Sequence, residues 1–203
     1  MPERTQTAIL NAGKNEFLSK GYSGASMRNI AAAAGVTTGA VYGYYSDKNA
    51  LFAALVEPAS EKFTERFKEA LYSFSVLPAK RQIGEMGTYS GDALKELLNH
   101  IYENFDEFYL IICCSEGSNY ENYVRKFVEA EIEATLEFME VMKQNGHEIT
   151  SLSMNMIQIL SASFFSEIFE TVVRRMDKEE ADIYVDQLLL FHAAGWKTLF
   201  KMD

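Results

Sequence analysis

Apolar residues recur along this chain at three- and four-residue intervals, with no alternation of period two, which predicts helices throughout. In the first predicted helix, over 5–20, the apolar stripe is Ile9, Ala12 (or Gly13) and Phe17, and Gly21 ends it. Gly13 lowers helix propensity and so marks close packing against a neighbouring helix. Ser26 is suited to cap a second helix over 27–34 whose inner face carries Ile30, Ala31 and Ala34. Gly35 supplies a left-handed turn, Val36 plugs the core, and Thr37 caps a third short helix over 38–45. Ser46 is the predicted cap of a fourth helix, 47–72, with Asp47 in its first turn and a kink or break at Pro58.

Beyond that point the pattern loosens. The stretch 75–92 holds Pro78, Gly84, Gly87 and Gly91 and reads mainly as connection. Helical spacing returns over 93–114, with a break near Asn104, and 116–119 is a loop. A long helix over 120–145 stops at Gly146, another spans 152–175, and Asp177 caps a last one over 178–201. The predicted fold is all-α: three small N-terminal helices, then a body of longer ones. The expected domains are 1–50 and 51–203.

The short, capped helices packed into 26–52 have the layout of a helix-turn-helix, which lays the N-terminal half of its second helix in the DNA major groove. Ser26 and Thr37 stand at helix N-termini, where hydroxyl and backbone N–H groups bind phosphate. Arg28 can reach a phosphate or a base edge. Gly39 removes bulk where the helix meets the duplex, and Thr38, Ala40 and Gly43 face outward with it. Tyr42 and Tyr44 offer rings and hydroxyls, and Lys48 a charge for a phosphate. Each of these residue types also occurs in ordinary helical cores and on solvated faces. Their joint spacing is what points to DNA.

Charge changes the picture only when divided. The 203 residues carry a net charge of −10, yet 1–56 hold Arg4, Lys14, Lys20, Arg28 and Lys48 against Glu3, Glu16 and Asp47, leaving +2 there and −12 in the remainder. The N-terminal part can approach phosphates while the rest repels them. Adjacent Cys113 and Cys114 give no disulfide framework, no signal peptide is legible, and no apolar run approaches the length of a membrane span. The expectation is a soluble cytoplasmic protein. His100, His147 and His192 show no metal-ligand spacing, and no P-loop, dinucleotide fingerprint or zinc-protease motif occurs, so neither metal, cofactor nor catalysis is expected.

On these residues the region resembles the DNA-binding domain of the TetR family of transcriptional repressors. The match runs through Ile9, Ala12, Phe17 and Gly21-Tyr22; Ser26-Met27, Ile30-Ala31 and Ala34-Gly35-Val36; then Gly39, Val41-Tyr42, Tyr44-Tyr45, Lys48 and Leu51-Phe52. It covers about the first quarter of the chain. The resemblance implies base and phosphate contacts at Arg28, Thr37, Thr38, Gly39, Tyr42, Tyr44 and Lys48, with Val41, Tyr45 and Phe52 in the core. Gly43 departs from the larger side chain usual there. The resemblance also implies an effector-binding, dimerising helical body: a repressor released from a palindromic operator by a small molecule.

The sequence of that body supports this in outline. The last two helices are broadly apolar (Ile157, Leu160, Phe164, Ile168 and Val172; Tyr184, Leu188, Phe191, Gly195 and Leu199), enough for half of a four-helix homodimer bundle or for an internal core. Phe105, Phe108, Tyr109, Cys113, Tyr120, Phe164, Phe165, Phe169 and Trp196, with Tyr123, are candidate effector contacts, or core at helical spacing. Cys113 and Cys114 read as buried structural cysteines or as a redox or soft-metal site. Two other classes stay open: a helical ligand-binding module without DNA function, and a helical-bundle enzyme.

Overall fold

The computed structural model describes residues 2–202, leaving aside the side chains of residue 2 and of 87–90. Its order is α1 (Pro2–Gly24), α2 (Met27–Ala33), α3 (Thr38–Tyr44), α4 (Lys48–Ser75), α5 (Ala79–Glu103), α6 (Phe105–Cys113), α7 (Arg125–Gln144), α8 (Met154–Val173) and α9 (Lys178–Leu199). No strand occurs among the described residues. The all-α expectation holds.

The chain forms two compact units, Met1–Lys62 with Asn104–Tyr123, and Phe63–Glu103 with Val124–Asp203. The expected boundary near residue 50 is therefore replaced by an interleaved one. The cause is α6 and the turns after it, which belong with α1. Lys14 Nζ lies 2.9 Å from Asp106 Oδ2 and 3.0 Å from Glu107 Oε1. Burial alone would lower the Lys14 pKa, but hydrogen bonds and charge attraction from Asp106 and Glu107 outweigh it and raise the pKa. Further along, the Tyr22 N–H donates to Cys114 O at 2.7 Å, and Ser23 Oγ donates to Glu116 O at 2.6 Å.

In the first unit, Ile9, Ala12 and Phe17 are buried as the stripe requires. The helical assignment of α1 runs through to Gly24, but Gly21 (φ 67°, ψ 170°) breaks its geometry where the sequence places the stop. Gly13 is buried, and a Cβ there would meet Leu51 Cδ2 at 3.2 Å, so the expected close approach is that of α4. Gly35 takes φ 69° in the turn. Thr37 Oγ1 accepts from Ala40 N–H at 3.1 Å, a true cap, while Tyr45 ends α3. Two predicted caps are corrected. The Ser26 hydroxyl makes no cap bond. At α4 the cap is Asp47, whose Oδ1 accepts from Ala50 N–H at 2.8 Å, rather than Ser46.

The second unit is a bundle of the C-terminal part of α4 with α5, α7, α8 and α9. Helix α4 continues across Pro58 with no break in its assignment. The stretch read as connection is the first half of α5, whose inward row (Ile83, then Leu94, Leu97, Leu98 and Ile101) packs against the bundle. Burial of that row outweighs the propensity cost of its glycines. Ahead of it, buried Gln82 Nε2 donates to Ser75 O (2.9 Å) and Leu77 O (2.8 Å), satisfying the turn at Pro78. The break at Asn104 falls as expected, and α7 starts later than expected, at Arg125, because 116–124 are turns. Asp177 caps α9 by accepting from Glu180 N–H at 2.8 Å.

One further expectation is corrected: α8 is long and apolar enough, by length and composition, to cross a membrane. It is nonetheless built into the bundle. Ile157, Phe165, Ile168, Phe169 and Val172 are buried there, and its Glu167 Oε2 pairs with His192 Nε2 at 2.7 Å.

Candidate nucleic-acid interface and effector cavity

Helices α2 and α3 present the candidate DNA face. Met27, Ile30 and Ala31 of α2 and Val41 of α3 turn inward, with Tyr45 buried behind them. This leaves Gly39, Tyr42 and Gly43 together on one exposed side of α3. Tyr42 is 50% exposed and Tyr44 38%. Thr37 and Arg28 are also exposed, and Ser26, Thr38, Ala40 and Lys48 are half-buried. Arg28 forms no hydrogen bond or ion pair among the described residues. A Cβ at Gly43 would meet nothing within 4 Å, and one at Gly39 only Thr37 Oγ1 at 4.0 Å. Packing thus requires neither glycine, although each weakens the helix by about 1 kcal/mol relative to alanine. A smooth face is the feature they provide.

Lys48 turns toward the protein. Its ammonium donates to Tyr22 O (2.7 Å), Ala25 O (3.2 Å) and Ser23 O (3.5 Å), and lies 4.4 Å from the centre of the Tyr22 ring. It ties down the carbonyls between α1 and α2. Glu16, which the sequence reading passed over, does the complementary work. Its Oε1 accepts from Ser26 N–H (3.2 Å), Asn29 Nδ2 (3.0 Å) and Lys20 Nζ (3.2 Å). Burial pushes the Glu16 carboxyl up, but these hydrogen bonds outweigh it and hold the pKa below the ordinary range. Glu16 therefore holds the residue before α2 and the Asn29 side chain, rather than the amides that a Ser26 hydroxyl cap would hold.

The second unit contains a cavity of about 180 Å³. Phe63, Phe67 and Phe74 of α4, Phe138 of α7, Trp196 of α9 and Phe200 just after it contribute rings to its wall. Of the candidate effector residues, Phe164, Phe165, Phe169 and Trp196 line it. Phe105, Phe108, Tyr109, Cys113 and Tyr120 do not. They belong to the first unit, where Phe108 is wholly buried and the Tyr120 ring lies 5.9 Å from that of Phe52. Tyr123 is also in that unit, its hydroxyl donating to Ser60 O at 3.0 Å. The reason is the packing of α6 on α1, which the aromatic spacing does not reveal. Cys114 is buried and Cys113 exposed. No group of three His, Cys, Asp or Glu side chains able to hold a metal ion occurs among the described residues.

Four polar residues of the wall escaped the sequence reading: Glu131, Thr135, Ser161 and His192. Glu131 was legible in principle. It occupies the inward register of α7 between Phe127 and Phe138, four and seven residues away. Burial pushes its carboxyl up to about 7. It makes no hydrogen bond or ion pair among the described residues.

The short helices α2 and α3, with α3 presenting an exposed side flattened by two glycines, have the arrangement of a helix-turn-helix. Residues 9–55 match the family model of bacterial regulatory proteins, tetR family. The matched residues run from within α1 into the first turns of α4. The transcriptional regulator UidR of Escherichia coli (strain K12) is 33% identical over 67 residues, which are 33% of this chain and 34% of UidR. The chain thus spans about a third of the length of the curated relatives it matches. Two solved structures share the fold over nearly the whole chain. NalD of Pseudomonas aeruginosa, the secondary repressor of the MexAB-OprM multidrug efflux pump, is 22% identical with a TM-score of 0.61, covering 96% of this chain and 97% of its own. FadR of Bacillus subtilis, in complex with stearoyl-CoA, is 15% identical with a TM-score of 0.53, covering 90% and 95%.

Proposed function

We propose that the protein is a cytoplasmic DNA-binding transcriptional regulator, a homodimeric repressor released from a palindromic operator by a small molecule. The observation that carries this reading is the outward face of α3, with Gly39, Tyr42 and Gly43 set behind the Thr37 cap, within residues that match the TetR model. Ser26, Arg28, Thr37, Thr38 and Tyr44 complete the contact set. Lys48 contributes through the loop it ties down and, on release of a carbonyl, through a phosphate. Repression as the direction of control follows the likeness to NalD.

Selection of DNA fragments by the purified protein is expected to return a palindrome. On that site Tyr42→Ala is expected to weaken binding by about 1–3 kcal/mol, roughly 5- to 150-fold, in a gel-shift titration. Unchanged affinity would place the docking face elsewhere. Wild-type binding should also fall steeply with salt, because lysine and arginine contacts to phosphate release counterions. A flat salt dependence would favour a ligand-binding module without DNA function.

Dimerisation through α8 and α9 is supported by the apolar side chains they leave uncovered. Leu190 and Phe191 are 72% and 71% exposed, and Ile183 on α9 and Ile159 and Val173 on α8 are exposed as well. A surface of this kind fits a partner helix pair of a four-helix bundle. Two copies would set their recognition helices about one DNA turn apart, roughly 34 Å. Sedimentation of the double variant Leu190→Glu, Phe191→Glu is expected to give a monomer that no longer retards the palindrome. A wild-type protein that sediments as a monomer would remove this interface. The effector would act through α4, one continuous helix that supplies residues to both compact units. A coupling of about 1–3 kcal/mol suffices to release DNA several-fold or more.

A further inference from the structure

The cavity of the second unit has an unusual polar inventory. Among the described residues its wall carries no lysine or arginine. Among the described residues, helices α4 and α5 contribute only apolar side chains to it, α7 adds Glu131 and Thr135, α8 adds Ser161, and α9 adds His192. His192 already has its partner in Glu167, at 2.7 Å. Among the described residues Glu131 has none, and the Ser161 hydroxyl, only 2% exposed, is a buried polar atom without a hydrogen-bond partner. Burying an ionised carboxylate without a counter-charge is costly, and so is burying an unpaired hydroxyl. Both costs fall on one cavity whose described wall is otherwise mostly rings and aliphatic chains, with Thr135 and His192.

We propose that this cavity takes a small amphiphilic amine: an apolar body of about one ring, carrying one protonated nitrogen that pairs with the Glu131 carboxylate. The inference rests on the effector-binding reading above and names the chemical class of the effector. An ammonium group supplies the missing counter-charge to Glu131 and N–H donors for which the Ser161 oxygen is an acceptor. The phenylalanine and tryptophan faces attract the same cation through their ring quadrupoles. Size sets the rest of the ligand. A cavity of about 150 Å³ lined by apolar side chains accommodates benzene, so 180 Å³ accommodates one ring and a few further atoms. An anionic effector finds no cation on this wall. A long acyl chain such as the one FadR holds exceeds the volume.

Protonation of Glu131 gives the binding a direction with pH. Its carboxyl titrates near 7 in the empty cavity, and His192 is the one other titratable group on the wall among the described residues. An amine that is protonated throughout the neutral range binds the ionised carboxylate, so binding should expel the Glu131 proton and strengthen as pH rises.

Calorimetric titration of the full chain with three isosteric probes tests this: 2-phenylethylamine, 2-phenylethanol and phenylacetate. The amine is expected to bind tightest, with affinity about tenfold higher at pH 8 than at pH 6 and with proton release. Glu131→Gln is expected to lose the amine's advantage by tenfold or more while retaining the alcohol, which also reports that the variant is folded. If the alcohol binds but the amine is not preferred, or if Glu131→Gln binds the amine as wild type does, the assignment of ligand class is overturned while the effector cavity stands. If phenylacetate binds tightest, the charge assignment is reversed and the inference falls. If none of the three binds, the effector-cavity reading falls with it.

Discussion

Replacing Phe52 by alanine is expected to cost the first unit about 3–5 kcal/mol of stability. Phe52 is wholly buried, with the Phe17 ring at 5.1 Å and that of Tyr22 at 5.4 Å, both edge-on, and Tyr120 at 5.9 Å. These rings come from α1, from α4 and from the turn before α7, so the space left by alanine borders several elements that cannot close on it together. Domains hold only about 5–15 kcal/mol in total. The loss therefore takes about a fifth or more of the margin that keeps the helix-turn-helix folded, without touching its outward face. The measurement is urea unfolding followed by far-UV circular dichroism. Fluorescence of Trp196, the chain's single tryptophan, reports the other unit as an internal reference. An unfolding midpoint that does not move would show that these rings do not form the keystone of the unit.

Glu131→Gln is expected to stabilise the protein at pH 8 by up to about 3 kcal/mol and to leave it almost unchanged near pH 4.5. Burial raises the carboxyl from 4.5 to about 7. The folded state therefore holds this proton over a range in which the unfolded state has released it. The resulting contribution to stability is fully present below the unfolded value of 4.5, fades as pH rises, and is gone once pH passes about 7, where the ionised group sits unpaired. Glutamine imitates the protonated acid and does not titrate. The difference between the two proteins should open between pH 4.5 and pH 8 in parallel thermal melts, and all other titrating groups cancel from it. A difference that does not vary with pH would mean that Glu131 does not titrate against a dry wall. The same proton underlies the expected preference of the cavity for an amine, but this measurement needs no ligand and stands or falls separately.

The helix-turn-helix was legible because its information is local. Gly21 and Gly35 stop helices through their own backbone freedom, Thr37 caps α3 from three residues away, and Ile9, Phe17, Ile30 and Val41 reveal the inner faces by spacing alone. The partners of Glu16 and Lys48 were not legible. Glu16 reaches ten residues forward to Ser26, and Lys48 reaches back to Tyr22, Ser23 and Ala25, contacts across the turn that spacing along the chain does not reveal. The glycines of α5 misled in the opposite way. They lowered local propensity in a segment whose helicity comes from burial of Ile83, Leu94, Leu97 and Leu98.

The sequence by itself determined the helical class, the breaks at Gly21, Gly35, Asn104 and Gly146, and the exposed side of α3, since all of these follow from torsional preference and from periodicity within a few residues. Tertiary structure alone decided which aromatic residues share a cavity. Phe108 and Tyr120 joined α1 and α4 in the first unit, whereas Phe164, Phe165, Phe169 and Trp196 closed around Glu131 and Ser161. One-dimensional spacing tells which face of a helix is buried. It does not tell against which neighbour, because that choice is made by the summed packing of helices distant in sequence.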